Sequence, residues 1–166
     1  MKNLIAMACI AIPLASFAKE HSHAHGAHVH GVAQIDVAIE GKTLLIALES
    51  PADNLLGFER TPKTEAEKAK LKAVTEQLKQ AAALFAPDAA AQCKAATPVV
   101  NMPSFKKGEH SDIDAEYRFD CTSVPASIAL PLWKNFPNFK KLTANIASDK
   151  GQKQVTLKSG QNLNLK

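Results

Sequence analysis

Most histidines of this chain lie in one short window near its N-terminus. Five of the six histidines fall there, at alternate or nearly alternate positions: His21, His23, His25, His28 and His30. In an extended chain alternate side chains project from one face, with Cβ atoms about 6–7 Å apart, so two imidazoles can reach one ion. Neutral imidazole is a common ligand for Zn²⁺, which takes four ligands in most sites. The window predicts capture of Zn²⁺, with Cu²⁺ and Ni²⁺ as open alternatives because imidazole also binds them.

The remaining histidine, His110, lies far along the chain beside Asp112, at the start of a strand predicted from residue 113. If that strand lies near the strand that follows the histidine window, both side chains can complete a metal site with His28 and His30. The alternative is that His110 is a solvated loop residue. Three carboxylates are further candidate oxygen ligands, although surface and capping roles are the simpler interpretation: Glu49, Asp53 and Glu59.

The first residues of the chain have the pattern of a secretory signal peptide. Lys2 supplies a positive start, residues 4–17 are almost wholly apolar, and Ser16 and Ala18 form the small-x-small pattern that precedes cleavage. The apolar run is too short for a membrane span, which needs about 20 residues. We therefore expect an exported protein with no membrane span after cleavage. It divides into a signal peptide (1–18), a histidine-rich metal-binding segment (19–31) and a single domain (32–166).

Two cysteines remain after the signal peptide, since Cys9 lies within it. In an exported chain Cys93 and Cys121 are most simply one disulfide. Such a closed loop stabilises the folded state by about 3–4 kcal/mol in the chain-entropy model. The alternative is a thiolate pair that binds metal, which the wide spacing and the lack of a C-x-x-C motif disfavour.

Strand and helix patterns predict an α+β fold. Apolar and polar residues alternate over 33–40 and again over 113–121, which is typical of half-buried strands. Thr64 and Glu67 form a capping box at the start of a helix whose apolar stripe runs to Phe85. A short helical turn follows later, before the last strands. We expect a mainly antiparallel β-sheet with one long amphipathic helix packed on it and a short second helix.

The charge and the motifs argue against two classes of function. The chain has 20 basic and 16 acidic residues, a mild excess without aromatic residues between basic clusters, so nucleic-acid binding is not expected. The sequence contains no H-E-x-x-H or G-x-S-x-G motif and no placed general base. We therefore expect a binding protein rather than an enzyme.

Several motifs resemble those of one family of exported proteins. They are H-V-H-G-V-A at residues 28–33, E-S-P-A-D-N-L-L-G-F-E at 49–59, T-E-A-E-K at 64–68, A-L-F at 83–85, His110, Y-R-F-D-C at 117–121, F-P at 136–137 and G-Q at 151–152. Together they cover nearly all of the chain after the signal peptide. In these motifs the chain resembles the ZrgA-type periplasmic zinc-binding proteins of Gram-negative bacteria.

The resemblance implies a zinc-binding accessory protein of the periplasm that assists zinc import when zinc is scarce. Its partners would be the metal ion and a zinc ABC transporter or that transporter's substrate-binding protein. It makes His28, His30 and His110 the candidates for a shared site. Some family members carry a long insert rich in His, Asp and Glu before the equivalent of His110, whereas residues 104–109 here are short and basic. An alternative function is a protein-partner binding module that uses the histidines only as an acquisition tail.

Overall fold

Strands make up most of the structure. The computed structural model describes residues 29–106 and 111–166, of which 41% are in strands and 22% in helices. The strands are β1 (Val32–Glu40), β2 (Thr43–Pro51), β3 (Ala86–Pro87), β4 (Lys94–Ala95), β5 (Val99–Asn101), β6 (Asp112–Asp120), β7 (Ser127–Ala129), β8 (Lys141–Ser148), β9 (Gly151–Lys158) and β10 (Leu163–Asn164). The helices are α1 (Ala52–Leu56), α2 (Glu65–Leu78), α3 (Ala81–Leu84) and α4 (Leu132–Asn135), with a 3₁₀ turn at Ala89–Ala91. The predicted signal peptide and residues 19–28 of the histidine-rich segment lie outside the described residues.

The longer strands form one mixed sheet. Its order is β4-β6-β2-β1-β8-β9, with β5 also paired to β6. β1 and β2 form an antiparallel hairpin through Gly41, whose φ is +59°, and β6 pairs antiparallel with β2. β8 pairs in parallel with β1, and a separate small sheet has the order β10-β7-β3. The strand that follows His30 is therefore a central strand, flanked by β2 and β8.

One face of the main sheet builds the core. Alternate residues of β1, β2, β6 and β8 are buried, as expected for strands with one covered face. They form one cluster with apolar side chains from all four helices. The opposite face carries polar residues such as Asp36 and Glu116, both exposed. The first residue of β1 and the last residue of β2 therefore lie at the same end of the sheet, where α1 begins.

The expected α+β arrangement with one long amphipathic helix is wrong, since the chain is mostly β and its helices are short. The capping box does form, with the Thr64 hydroxyl accepting a hydrogen bond from the Glu67 amide. However, α2 ends at Leu78, and Gln80 has a non-helical backbone (φ −103°, ψ 77°) that separates it from α3. The apolar residues up to Phe85 keep helical spacing across this break, because α2 and α3 both bury apolar side chains in the same core.

The predicted disulfide between Cys93 and Cys121 is confirmed, with an S–S distance of 2.04 Å. Cys93 directly precedes β4 and Cys121 directly follows β6, and these two strands pair. The bond therefore ties down one edge of the main sheet, and neither sulfur is a thiolate that can bind metal. Among the helices described, none is long and apolar enough to cross a membrane.

Candidate metal centre

A tight turn presents His30 at the rim of the main sheet. The Val32 amide donates to the Val29 carbonyl at 3.0 Å, and Gly31, the third residue of this turn, has φ +85°. A positive φ at that position favours glycine. The Gly31 carbonyl accepts from the Lys140 amide at 2.7 Å, which ties the turn to the start of β8.

Two carboxylates flank the His30 ring, one at each nitrogen. Nδ1 lies 3.4 Å from an Asp53 carboxylate oxygen, and Nε2 lies 3.5 Å from a Glu59 carboxylate oxygen. The imidazole is 57% exposed, whereas the Asp53 and Glu59 side chains are 29% and 15% exposed. The acids are therefore more enclosed than the ring, which stays open to an incoming ion. We refer to His30, Asp53 and Glu59 as the candidate metal centre.

Helix α1 places both carboxylates. It begins directly after Pro51, the last residue of β2, so Asp53 stands in its first turn. Gly57 ends the helix with φ +79°, and its amide donates to the Asp53 carbonyl at 2.8 Å. This left-handed residue redirects the chain, and Glu59 follows two residues later. Because α1 has only five residues, both acids stay within reach of one imidazole.

An ion pair holds the loop that carries Glu59. The Arg60 guanidinium donates to the Glu67 carboxylate at 2.7 Å, and the Lys63 amide donates to the same carboxylate at 2.6 Å. These hydrogen bonds, the Arg60 one first, lower the pKa of Glu67 to about 2. Glu67 is therefore anionic at neutral pH, where it caps α2 and anchors this loop. The Arg60 guanidinium also lies over the Phe58 ring, 5.5 Å from its centre.

Asn54, a buried residue that joins the turn to α1, was not among the predicted site residues. It is 1% exposed. Its Oδ1 accepts from the Gly31 amide at 2.6 Å. Its Nδ2 donates to the Val32 carbonyl at 2.9 Å and to Ser50 Oγ at 3.1 Å. Its place directly after Asp53 and within the motif at residues 49–59 did not predict these hydrogen bonds.

The chain on either side of residues 107–110 is attached to this same region. The Ser111 carbonyl accepts from the Ala52 amide at 2.8 Å, which continues the β2–β6 ladder by one residue. On the other side, the Phe105 carbonyl accepts a hydrogen bond from the Thr61 hydroxyl, in the loop after α1, at 3.3 Å. The rings of Phe105 and Phe58 lie 6.4 Å apart. Both attachment points are therefore neighbours of α1 or of the loop that follows it.

Of the histidines predicted as ligands, the structure describes His30. The others lie outside the described residues: His21, His23, His25, His28 and His110. Asp112 begins β6, is half-buried, and pairs with Pro51. β6 thus lies next to β2 rather than next to β1. Helix α1 follows β2 directly and places Asp53 beside His30.

Within the described ranges, no three His, Cys, Asp or Glu side chains form a group that could hold a metal ion. At His30 the two acids approach opposite ring nitrogens. A tetrahedral Zn²⁺ with bonds of about 2.0–2.2 Å separates its donor atoms by about 3.3–3.5 Å. The His30–Asp53 and His30–Glu59 separations of 3.4 and 3.5 Å match this spacing. One acid can therefore share an ion with the ring, while the other accepts the remaining ring N–H and orients the imidazole.

A sequence model of a protein family matches most of the chain. The family is ZrgA, described as zinc uptake protein, and the match covers residues 27–164. It therefore includes the candidate metal centre and every described strand. No curated protein matches the chain.

Proposed function

The chain belongs to the ZrgA family of zinc uptake proteins, and from this premise we propose that it captures Zn²⁺ at the candidate metal centre and passes it on for uptake. The main observation in support of this proposal is the position of the His30 ring between the Asp53 and Glu59 carboxylates. The proposed role is binding and delivery rather than catalysis. The lack of hydrolase motifs in the sequence supports this part.

Imidazole beside carboxylates is a donor set that suits Zn²⁺. The ion accepts nitrogen and oxygen ligands at about 2.0–2.2 Å, and two carboxylates balance the charge of a divalent cation. A partly exposed ring also leaves a path for release, which suits a protein that donates its ion. The same donors bind Cu²⁺ and Ni²⁺, so the choice of Zn²⁺ rests on the family.

We propose His28 and His110 as the remaining ligands. Among the described residues, the β2–β6 ladder is continued by one hydrogen bond, from the Ala52 amide to the Ser111 carbonyl at 2.8 Å. Ala52 directly precedes Asp53 in the sequence and Ser111 directly follows His110, which supports His110 as a ligand. His28 is two residues from His30, a spacing at which two imidazoles can reach one ion.

We propose the rest of the histidine-rich segment as an acquisition tail. His21, His23 and His25 would bind ions loosely and raise their concentration near the centre. The signal-peptide pattern of residues 1–18 supports export to the periplasm. The recipient there would be a zinc ABC transporter or its substrate-binding protein.

Zinc titration of the protein by calorimetry tests the proposal. The affinity of the tightest site is compared between wild type and three variants, His30→Ala, Asp53→Asn and Glu59→Gln. Loss of a group that orients a ligand weakens metal binding about 10–100-fold, and loss of the ligand itself should weaken it at least as much. We expect His30→Ala to have the largest effect. Glu49→Gln is the matched control, because Glu49 is a half-buried acid of β2 that lies opposite Gln34 in the strand ladder. The acids beside His30 are Asp53 and Glu59.

Equal zinc affinity in wild type and His30→Ala would contradict the proposal. If the wild type binds no zinc at all, binding of a protein partner becomes the function to test. A site that binds Cu²⁺ or Ni²⁺ but not Zn²⁺ would overturn the choice of ion.

A further inference from the structure

The side-chain amide of Asn54 connects the two halves of the candidate metal centre. The Gly31 amide that it binds at 2.6 Å belongs to the peptide bond between His30 and Gly31. On its other side, Asn54 is covalently joined to Asp53. The backbone of His30 is thus fixed to the backbone of Asp53 through one hydrogen bond and one side chain.

The hydrogen bonds at this position select asparagine. One acceptor faces the Gly31 amide, and two donor hydrogens face the Val32 carbonyl and Ser50 Oγ. Leucine has the same shape but neither function, and glutamine is one methylene longer. Asn54 is 1% exposed, so water cannot easily take the place of its side chain. Replacing Asn54 with an apolar residue therefore leaves its buried hydrogen-bond partners unpaired.

From these contacts we infer that Asn54 is a positioning residue that sets zinc affinity through His30. It holds the turn so that the imidazole already stands between its two acids when the ion arrives. Binding then avoids the conformational entropy of ordering the turn. This inference rests on the proposed function, since it concerns the same ion at the same centre.

A double-mutant cycle on zinc affinity tests the inference. Asn54→Ala should weaken zinc binding about 10-fold, as expected for loss of an outer-shell partner. The double variant with His30→Ala should bind no more weakly than His30→Ala alone, because Asn54 acts through that ring. Asn135→Ala is the matched control. Its Nδ2 also donates to a backbone carbonyl, that of Ala83 at 2.8 Å, but it joins α4 to α3.

Each outcome separates this inference from the proposed function. Wild-type zinc affinity in Asn54→Ala, or additive losses in the double variant, would overturn the inference. Either result would leave the proposed function in place if His30→Ala still weakens binding. If Asn54→Ala does not give a cooperative unfolding transition, Asn54→Leu, which keeps the branched shape, is measured in the same cycle and decides in the same way.

Discussion

Replacing Gly31 with alanine tests whether the turn that carries His30 is tightly fixed. Gly31 has φ +85°, and an added Cβ would lie 3.0 Å from Lys140 Cγ and 3.5 Å from the Asn138 carbonyl oxygen. Gly160 also has φ +85°, but an added Cβ there meets nothing within 4 Å. The two glycines therefore share the backbone strain and differ in the close contact.

The expected magnitudes follow from these two terms. A left-handed backbone costs an L-residue about 1–2 kcal/mol, and this applies at both positions. Overpacking adds about 1 kcal/mol at Gly31, near the low end of its range because the Lys140 side chain can shift in part. The turn itself cannot move away freely, since the Lys140 amide binds the Gly31 carbonyl. We expect Gly31→Ala to lower the free energy of unfolding by about 2–3 kcal/mol, against about 1–2 kcal/mol for Gly160→Ala.

Urea unfolding with the disulfide intact measures this difference. Zinc titration of the same samples adds a second readout, because a displaced turn moves His30 away from its acids. Gly31→Ala should weaken zinc binding, whereas Gly160→Ala should leave it unchanged. Equal stability losses in the two variants, with equal zinc affinity, would show that the turn at Gly31 is not tightly fixed.

Three further predictions concern the domain. The Tyr117 hydroxyl is buried with no hydrogen-bond partner among the described residues, so Tyr117→Phe should change the free energy of unfolding by less than about 0.5 kcal/mol or raise it; a clear loss in urea unfolding would contradict this. Replacing Cys93 and Cys121 together with alanine opens a loop with a sequence separation of 28 and should cost about 3–4 kcal/mol in the same assay, and an unchanged midpoint would be inconsistent with that role. The pKa of Glu67 is lowered to about 2, chiefly by the hydrogen bond from Arg60. The stability that its carboxylate contributes to the folded state is therefore fully present above the ordinary pKa of 4.5 and is lost as the pH falls through about 2. Between these pH values the wild type should lose more stability than Glu67→Gln, and parallel pH profiles would argue against the ion pair.

The local patterns predicted single elements better than their arrangement. Alternation of apolar and polar residues marked the positions of β1 and β6, and the capping box marked the start of α2. The end of α2 was not predictable, because the chain leaves the helix at Gln80 while apolar residues continue at helical spacing. The parallel pairing of β8 with β1 depends on contacts more than 100 residues apart in the chain, and no local pattern encodes it.

The candidate metal centre was predictable only in part. His30 was marked by its neighbours in the histidine window, and its residue type predicted it as a ligand. Asp53 and Glu59 had the simpler interpretation of surface or capping acids, because their approach to one ring depends on the redirection of the chain at Gly57. Asn54 lies within the motif at residues 49–59, but the motif does not predict its role, which arises from a turn more than 20 residues away.

A crystal structure of the protein with zinc, with anomalous scattering measured at the zinc edge, would show whether His30 binds the ion. We expect an ion bound to a ring nitrogen of His30 at about 2.0–2.1 Å, with an oxygen of Glu59 or Asp53 at about 2.0–2.2 Å. An ion held elsewhere, with the His30 ring still flanked by its two acids and unbound, would contradict it.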